Sequence, residues 1–138
     1  MNAKQLAEKL VLSFGRPEEV VSLLADDVIW TLHTGSAPPG GTHEGKQAVQ
    51  SLMETVFGGI YSPESVVTDI EQLVGDKSEA AIRFRLKTTT TWGARYDNSY
   101  AIFISSSNGK IDRCFELLDS LSATEQLADS APDDLSAG

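Results

Sequence analysis

The chain has 138 residues, the usual size of a single domain and enough to bury a hydrophobic core. Its formal net charge of −9 argues against nucleic acid as a partner, because phosphate binding requires clustered Lys and Arg. No apolar run approaches the roughly 18 residues that span a bilayer, so no membrane association is expected. The N-terminus lacks the apolar core of a signal peptide, and we therefore expect a cytoplasmic protein.

The first part of the chain has the apolar spacing of helices. Residues 2–14 predict an amphipathic helix, and Pro17 suits the first turn of a second helix. A β-rich run from Val28 to Leu32 follows, and then a loop rich in glycine and proline from Gly35 to Gly41. Paired apolar residues predict a third helix from Lys46 to Phe57, which two glycines end.

The second part of the chain switches to an apolar period of two, which indicates β-strands. Four long strands are predicted: Ser65–Val74, Glu79–Thr90, Arg95–Ser105 and Lys110–Leu118. Their short connections predict antiparallel neighbours, and helices followed by a curved antiparallel sheet predict an α+β fold with an apolar pocket between the layers. Residues 1–121 are expected to form one domain, and residues 122–138 a C-terminal segment that is largely a disordered tail.

Two carboxylates end the last predicted strand. Period two places Glu116 on the same face as Asp112, Cys114 and Leu118, and places Asp119 on the opposite face. One carboxylate must then lie among apolar residues, where it is costly unless it is partnered or functional. Burial would raise the pKa of Glu116 toward neutrality and let it take a proton next to a carbonyl. The alternative is a structural salt bridge to Arg83, Arg85 or Lys87.

Further candidate residues each have a structural alternative. His33, at a strand end, could relay a proton near neutral pH or could be a surface residue. Arg83 and Arg85 alternate along one strand face, which suits either an anion anchor at a pocket mouth or a solvated, dimer-facing surface. Five aromatic residues could line a pocket or pack the core: Trp30, Tyr61, Trp92, Tyr96 and Tyr100. The histidine spacing fits no metal site, and the single cysteine, Cys114, reads as a core residue.

Three strings resemble the nuclear-transport-factor-two-like superfamily, and its SnoaL-like and ketosteroid-isomerase-like branches in particular. They are Ala25-Asp26-Asp27-Val28-Ile29-Trp30, Glu44-Gly45-Lys46-Gln47-Ala48-Val49, and Gly109-Lys110-Ile111 followed by Glu116-Leu117-Leu118-Asp119. The resemblance spans about residues 5–120. It implies a cone-shaped sheet wrapped around three N-terminal helices, a deep apolar cavity, and frequent homodimers through the outer sheet face.

The chemistries of that superfamily differ in how well they match. The positions of the steroid isomerase base, tyrosine and second aspartate correspond to Leu32, Glu8 and Ala101, so that site is not retained. Epoxide hydrolases would match Glu116, but their partner carboxylate is replaced by arginine within Arg83-Phe84-Arg85. SnoaL-type cyclases, which rely on one acidic residue on the last strand, match at Glu116.

The resemblance therefore implies a small-molecule-binding protein and a cofactor-free acid/base enzyme of isomerase, cyclase or epoxide-hydrolase type. Glu116 would be the catalytic acid or base with His33 assisting, on an apolar polyketide-, steroid- or terpenoid-like substrate. The alternative is a non-catalytic ligand-binding or dimerisation module of the same fold. Neither reading calls for a cofactor or a metal.

Overall fold

The computed structural model describes residues 1–33 and 40–128 of the chain. Within them lie four α-helices, α1 (Ala3–Leu12), α2 (Pro17–Ser22), α3 (Lys46–Val56) and α4 (Ser120–Ala128), together with a short 3₁₀ turn at Pro63–Ser65. The helix α1 begins with a reciprocal cap, because the Asn2 side chain accepts the N–H of Gln5 and the Gln5 side chain accepts that of Asn2. None of the helices in this part of the chain has the length and hydrophobicity needed to cross a membrane.

The described strands form one curved sheet. They are β1 (Leu24–Leu32), β2 (Gly41–Glu44), β3 (Val67–Gly75), β4 (Glu79–Thr89), β5 (Arg95–Ser107) and β6 (Lys110–Leu118), in the spatial order β2-β1-β6-β5-β4-β3. The outermost strands β2 and β3 do not pair, so the sheet is open. The α+β class is confirmed, but the sheet is mixed, because β1 and β6 run parallel while the other neighbours run antiparallel.

Burial alternates from one residue to the next along β4, so the two faces of the sheet differ. On β4 the buried residues Ile82, Phe84 and Leu86 alternate with Arg83, Arg85 and Lys87. We call the side that carries the buried residues the inner face. It packs against α1 and α3 around the fully buried Trp30, and each large apolar side chain buried there stabilises the fold by about 1.5–3 kcal/mol.

Two elements of the structure, the helix α4 and the strand β2, were not predicted from the sequence. The helix α4 takes up residues 122–128 of the predicted C-terminal segment, for which no helix was predicted; Asp119 begins it by accepting the N–H of Ser122 at 3.0 Å. Gln126 then fastens α4 to β5 by accepting the N–H of Asp97 and donating to its carbonyl. The short strand β2 was not predicted either. Residues 34–39 and 129–138, which include most of the predicted loop and the end of the predicted tail, lie outside the described residues.

Irregular pairing shifts two predicted strand features. The strand β1 begins at Leu24, and the pairing with β6 jumps between Leu24 and Ile29, so Asp26 and Asp27 bulge outward within the strand instead of preceding it. On β6 a bulge at Asp112 interrupts the alternation. Ile111 is therefore buried, and the predicted grouping of Asp112 with Cys114 and Glu116 on one face is wrong for Asp112.

Candidate functional site

A small apolar cavity lies between α3 and the inner face of β4, β5 and β6. Leu52, Met53 and Val56 of α3 form one wall, and Phe84 and Leu86 of β4 form part of the other. The space open to a water-sized molecule is about 40 Å³. That is room for about three waters, far below the roughly 300–1,000 Å³ of pockets for drug-sized ligands. The space between α3 and the sheet is therefore far smaller than the deep apolar pocket that was predicted, which stays a prediction.

Glu116 is the only charged residue among the described residues that line this cavity. The strand β6 directs it inward, because the neighbouring residue Phe115 points to the other face and is 42% exposed. Behind it, Trp30 donates its Nε1–H to Glu116 Oε1 at 3.1 Å. Glu116 borders the cavity and so keeps some accessible surface, but its surroundings are aromatic and aliphatic.

The electrostatics of Glu116 follow from this placement. Burial raises the pKa of Glu116 from 4.5 to about 7, and the hydrogen bond from Trp30 opposes part of that rise. The other titratable groups that interact with it are Tyr61, Tyr100 and Cys114, and burial raises the pKa of all three, so they stay neutral while Glu116 titrates. Glu116 can therefore either take or give a proton near neutral pH.

A cluster of hydroxyl groups lies beside Glu116. Tyr96 Oη and Tyr100 Oη are 2.8 Å apart, and Asn98 Nδ2 donates to Tyr96 Oη at 3.0 Å. Tyr61 and Tyr100 line the cavity, and Tyr61 interacts with the hydroxyl groups of both other tyrosines. Sequence reasoning selected Tyr61 and Tyr100 as site residues but missed Asn98; its only signal was a polar residue at an inward position of an alternating strand.

The other residues predicted for the site lie at different distances from it. Trp30 reaches Glu116 as a hydrogen-bond donor and does not line the cavity. The side chain of His33 is exposed, since it follows the inward Leu32; only its backbone N–H approaches Glu116, whose carbonyl it binds at 3.1 Å. Trp92 lies in the turn between β4 and β5, away from the cavity lining.

The predicted basic residues lie on the outer face of the sheet. Arg83 pairs with Glu71 at 3.2 Å, Arg85 with Asp97 at 2.9 Å, and Lys87 with Asp69 at 2.9 Å. The structure thus does not bring Arg83 and Arg85 to the cavity as an anion anchor. The alternative in which these cations neutralise Glu116 is wrong, because the sheet separates them from its carboxyl group.

Comparisons with known proteins agree with this architecture. A family model described as the SnoaL-like domain matches residues 5–114, and a search of curated proteins finds none that matches. A provisionally assigned isomerase from Rhodopseudomonas palustris is 19% identical, with a TM-score of 0.73 over 91% of this chain and 94% of that one. A hypothetical protein with a ketosteroid isomerase-like fold from Catenulispora acidiphila, solved in complex with trimethylamine, is 14% identical, with a TM-score of 0.76 over 94% and 99%.

A third solved structure, TerC co-crystallised with polyporic acid, is 15% identical, with a TM-score of 0.77 over 91% of this chain and 97% of that one. At these identities the three structures establish the fold alone, which is the nuclear-transport-factor-two-like fold expected from the sequence. The family match covers most of the chain and ends two residues before Glu116. The chain belongs to the SnoaL-like domain family.

Proposed function

We propose that this protein is a cofactor-free acid/base catalyst that acts on a small apolar carbonyl compound, with Glu116 as the group that moves the proton. One observation carries the proposal: a carboxyl group that has no cationic partner among the described residues borders an apolar cavity, and burial there raises its pKa to about 7. Structural carboxylates gain from being ionised and paired, whereas a general base needs a pKa near the working pH.

The proton transfer follows directly from this chemistry. Ionised Glu116 takes a proton from the carbon next to the carbonyl, the C–H electron pair forms a C=C bond, and the carbonyl π pair moves onto oxygen. The electron pair on oxygen then re-forms the carbonyl as Glu116 returns a proton. Return to the same carbon exchanges the hydrogen, whereas in a substrate with a neighbouring C=C bond return to the far carbon of that bond moves the double bond and isomerises the molecule. His33 is left out of this mechanism because its side chain is exposed.

Two similar proteins support small-molecule chemistry as the class of function, since one is a provisionally assigned isomerase and another was co-crystallised with polyporic acid. The polyketide-, steroid- or terpenoid-like nature of the substrate, like the cytoplasmic location, is a prediction. A cavity of about 40 Å³ favours a small substrate or one that displaces part of the α3 wall.

Exchange of ketone α-hydrogens for deuterium in heavy water tests the proposal. Unlabelled cyclohexanone is the test compound, and the exchange rate should rise with pH through about 7 as Glu116 ionises. Glu116→Gln keeps an acceptor for Trp30 but should slow exchange by about 10²–10⁴-fold. Asp112→Asn on the same strand is the matched control and should leave the rate unchanged; an equal rate in Glu116→Gln would refute the proposal.

A separate observation favours the alternative, a non-catalytic ligand-binding or dimerisation module. On the outer face, Phe103 of β5 and Phe115 of β6 are cross-strand partners and are 50% and 42% exposed. Exposed aromatic pairs of this kind favour burial against another surface, and we propose a homodimer through the outer sheet face.

Sedimentation equilibrium tests the homodimer. Phe103→Asp should convert the dimer to a monomer, whereas the same change at Leu121, which is 68% exposed on α4, should not. A monomeric parent protein would contradict the dimer. Ketone binding without any exchange would favour the non-catalytic module over the enzyme.

A further inference from the structure

The turn between β5 and β6 consists of Asn108 and Gly109. Both residues have positive φ angles, 53° and 75°, and they join Ser107 to Lys110, which pair across the two strands. Such a two-residue turn suits the right-handed twist of a hairpin, and asparagine followed by glycine is its preferred sequence. Asn108 is exposed, so water reaches its side-chain amide.

An asparagine side chain can react with the backbone nitrogen of the residue that follows it. The nitrogen attacks Cγ, a new N–Cγ bond forms and the Cγ–Nδ2 bond breaks, so ammonia leaves with the proton of the backbone nitrogen. The product is a five-membered succinimide ring. Water then opens the ring in one of two ways. Cleavage of the new N–Cγ bond gives aspartate, whereas cleavage of the original peptide bond gives isoaspartate, in which the main chain runs through Cγ.

Gly109 leaves its nitrogen free to react in this way. Among the described residues, its N–H donates a hydrogen bond to no partner. Glycine has no Cβ and adapts its φ and ψ angles more easily than any other residue, so its nitrogen can approach Cγ of Asn108. The turn therefore combines an exposed amide, an unbonded nucleophile and access to water.

The two other asparagines of the chain lack this combination. Asn98 is only 2% exposed, and the N–H of Ser99, which would have to attack it, donates to Asn98 Oδ1 at 2.9 Å. Asn2 caps α1, and the N–H of Ala3, which follows it, donates to the Lys77 carbonyl at 2.9 Å. In both cases the attacking N–H must first lose a hydrogen bond, so both asparagines should react more slowly.

We propose that Asn108 is a spontaneous modification site, at which the folded protein loses ammonia and acquires aspartate or isoaspartate. The reagents are the Gly109 nitrogen and water, so the reaction needs no enzyme. This inference goes beyond the proposed function and does not depend on the chemistry of Glu116.

The two products act differently on the hairpin. Aspartate tolerates a positive φ angle as asparagine does, so it adds only a charge. Isoaspartate adds a carbon atom to the main chain of the turn, which then no longer fits the pairing of Ser107 with Lys110. Because Ser107 also donates to Asp112, isoaspartate should weaken that hydrogen bond, raise the pKa of Asp112 and lower the urea concentration at which the protein unfolds.

Incubation of the folded protein in H₂¹⁸O tests the inference. Trypsin cleaves after Arg95 and Lys110, so a single peptide then carries both Asn98 and Asn108. Mass spectrometry should find one ¹⁸O at residue 108, with aspartate and isoaspartate separated by fragmentation. Asn108 should convert at least about tenfold faster than Asn98, whose neighbour must first break a hydrogen bond. Products that form during digestion in ordinary water carry no label and are not counted.

Two substitutions of Asn108 separate the reaction from its consequence. Asn108→Gly keeps the positive φ angle but offers no amide to attack, so residue 108 should take up no label. Asn108→Asp adds the charge without the extra carbon atom, and its midpoint in urea should stay near that of the fresh parent protein. The aged parent protein, which contains isoaspartate, should unfold at a lower urea concentration than either.

The parent protein held unfolded in urea, labelled in the same way, gives the reference rate. Label at residue 108 of the unfolded chain but not of the folded protein would overturn the inference, because the turn would then protect Asn108. Equal conversion of Asn98 and Asn108 in the folded protein would also overturn it, since the hydrogen bond to Ser99 would not matter. An aged protein that unfolds at the parent midpoint would overturn the effect on the hairpin.

Discussion

The two ends of β6 hold two carboxylates in opposite electrostatic environments. At the hairpin end, Asp112 accepts hydrogen bonds from the hydroxyl groups of Ser105 and Ser107, and these bonds lower its pKa. At the cavity end, four residues along the same strand, burial raises the pKa of Glu116 to about 7. Position on a strand does not set the chemistry of an acidic residue; the partners on the neighbouring strands do.

The consequence for stability has opposite signs at the two ends. A raised pKa means that the folded state holds its proton more tightly than the unfolded state does, so the contribution of Glu116 is full below about 4.5 and is lost as pH rises through about 7. A lowered pKa means the reverse for Asp112, whose contribution is present above its unfolded pKa and is lost in acid.

Glu116→Gln should give the largest change. It removes a group that costs stability when ionised, so the free energy of unfolding should rise above pH 7 by at most about 3 kcal/mol. The gain should shrink between pH 7 and 4.5 and vanish below that. Urea unfolding across this pH range measures it, and a loss of stability at pH 8 would contradict the account.

Trp30→Phe should have the next largest effect. It leaves a void at a fully buried position and removes the N–H that stabilises ionised Glu116, at a cost of about 2 kcal/mol. Because that hydrogen bond lowers the pKa of Glu116, its removal should raise the pKa further. When the free energy of unfolding is measured as a function of pH, Glu116 should titrate at a higher pKa in Trp30→Phe than in the parent protein. A lower pKa would be inconsistent with the hydrogen bond.

Asp112→Asn should act in the opposite sense to Glu116→Gln. It weakens two hydrogen bonds to a charged acceptor and should lower the free energy of unfolding at pH 7 by about 1 kcal/mol. The difference should disappear in acid, where Asp112 in the parent protein is protonated. If the substitution instead stabilised the protein at pH 7, the two ends of β6 would not differ as described.

Ser107→Ala should have the smallest effect. It removes one of the two hydroxyl donors to Asp112 and leaves Ser105, so we expect a loss of about 0.5 kcal/mol at pH 7 and a rise in the pKa of Asp112. Urea unfolding as a function of pH measures both changes. In the control substitution Ser65→Ala, which is remote from β6, the pKa of Asp112 should be unchanged.

The sequence predicted the long elements of the fold well, because their signal is local. The bounds of β6, Lys110–Leu118, agree with the prediction, since an Asn-Gly turn begins the strand and alternation runs through most of it. The short strand β2 offers only four residues beside a glycine-rich loop, and its place depends on pairing with β1. The helix α4 has a recognisable start in Asp119, but the Ala- and Ser-rich composition that follows is also typical of a tail.

For the site, alternation predicted that one of Glu116 and Asp119 faces the apolar side, and in the structure it is Glu116 that borders the cavity. Three facts needed the partner strands: the bulge at Asp112, the hydrogen bond from Trp30, and the orientation of Asn98. The outward position of Arg83 and Arg85 could have been predicted from the sequence, because the apolar residues Ile82, Phe84 and Leu86 alternate with them and occupy the buried side of β4. The size of the cavity could not be predicted from the sequence, since it depends on how the α3 side chains fill the space next to the sheet.

The most direct test is a ¹³C NMR titration of the side-chain carboxyl carbons in the parent protein, assigned with Glu116→Gln and Asp112→Asn. We expect the Glu116 resonance to titrate with a pKa of about 7, while the Asp112 resonance in the same spectra titrates below its ordinary range. A Glu116 resonance that titrates near 4.5 would contradict the account, because the carboxyl group would then be solvated like any surface glutamate.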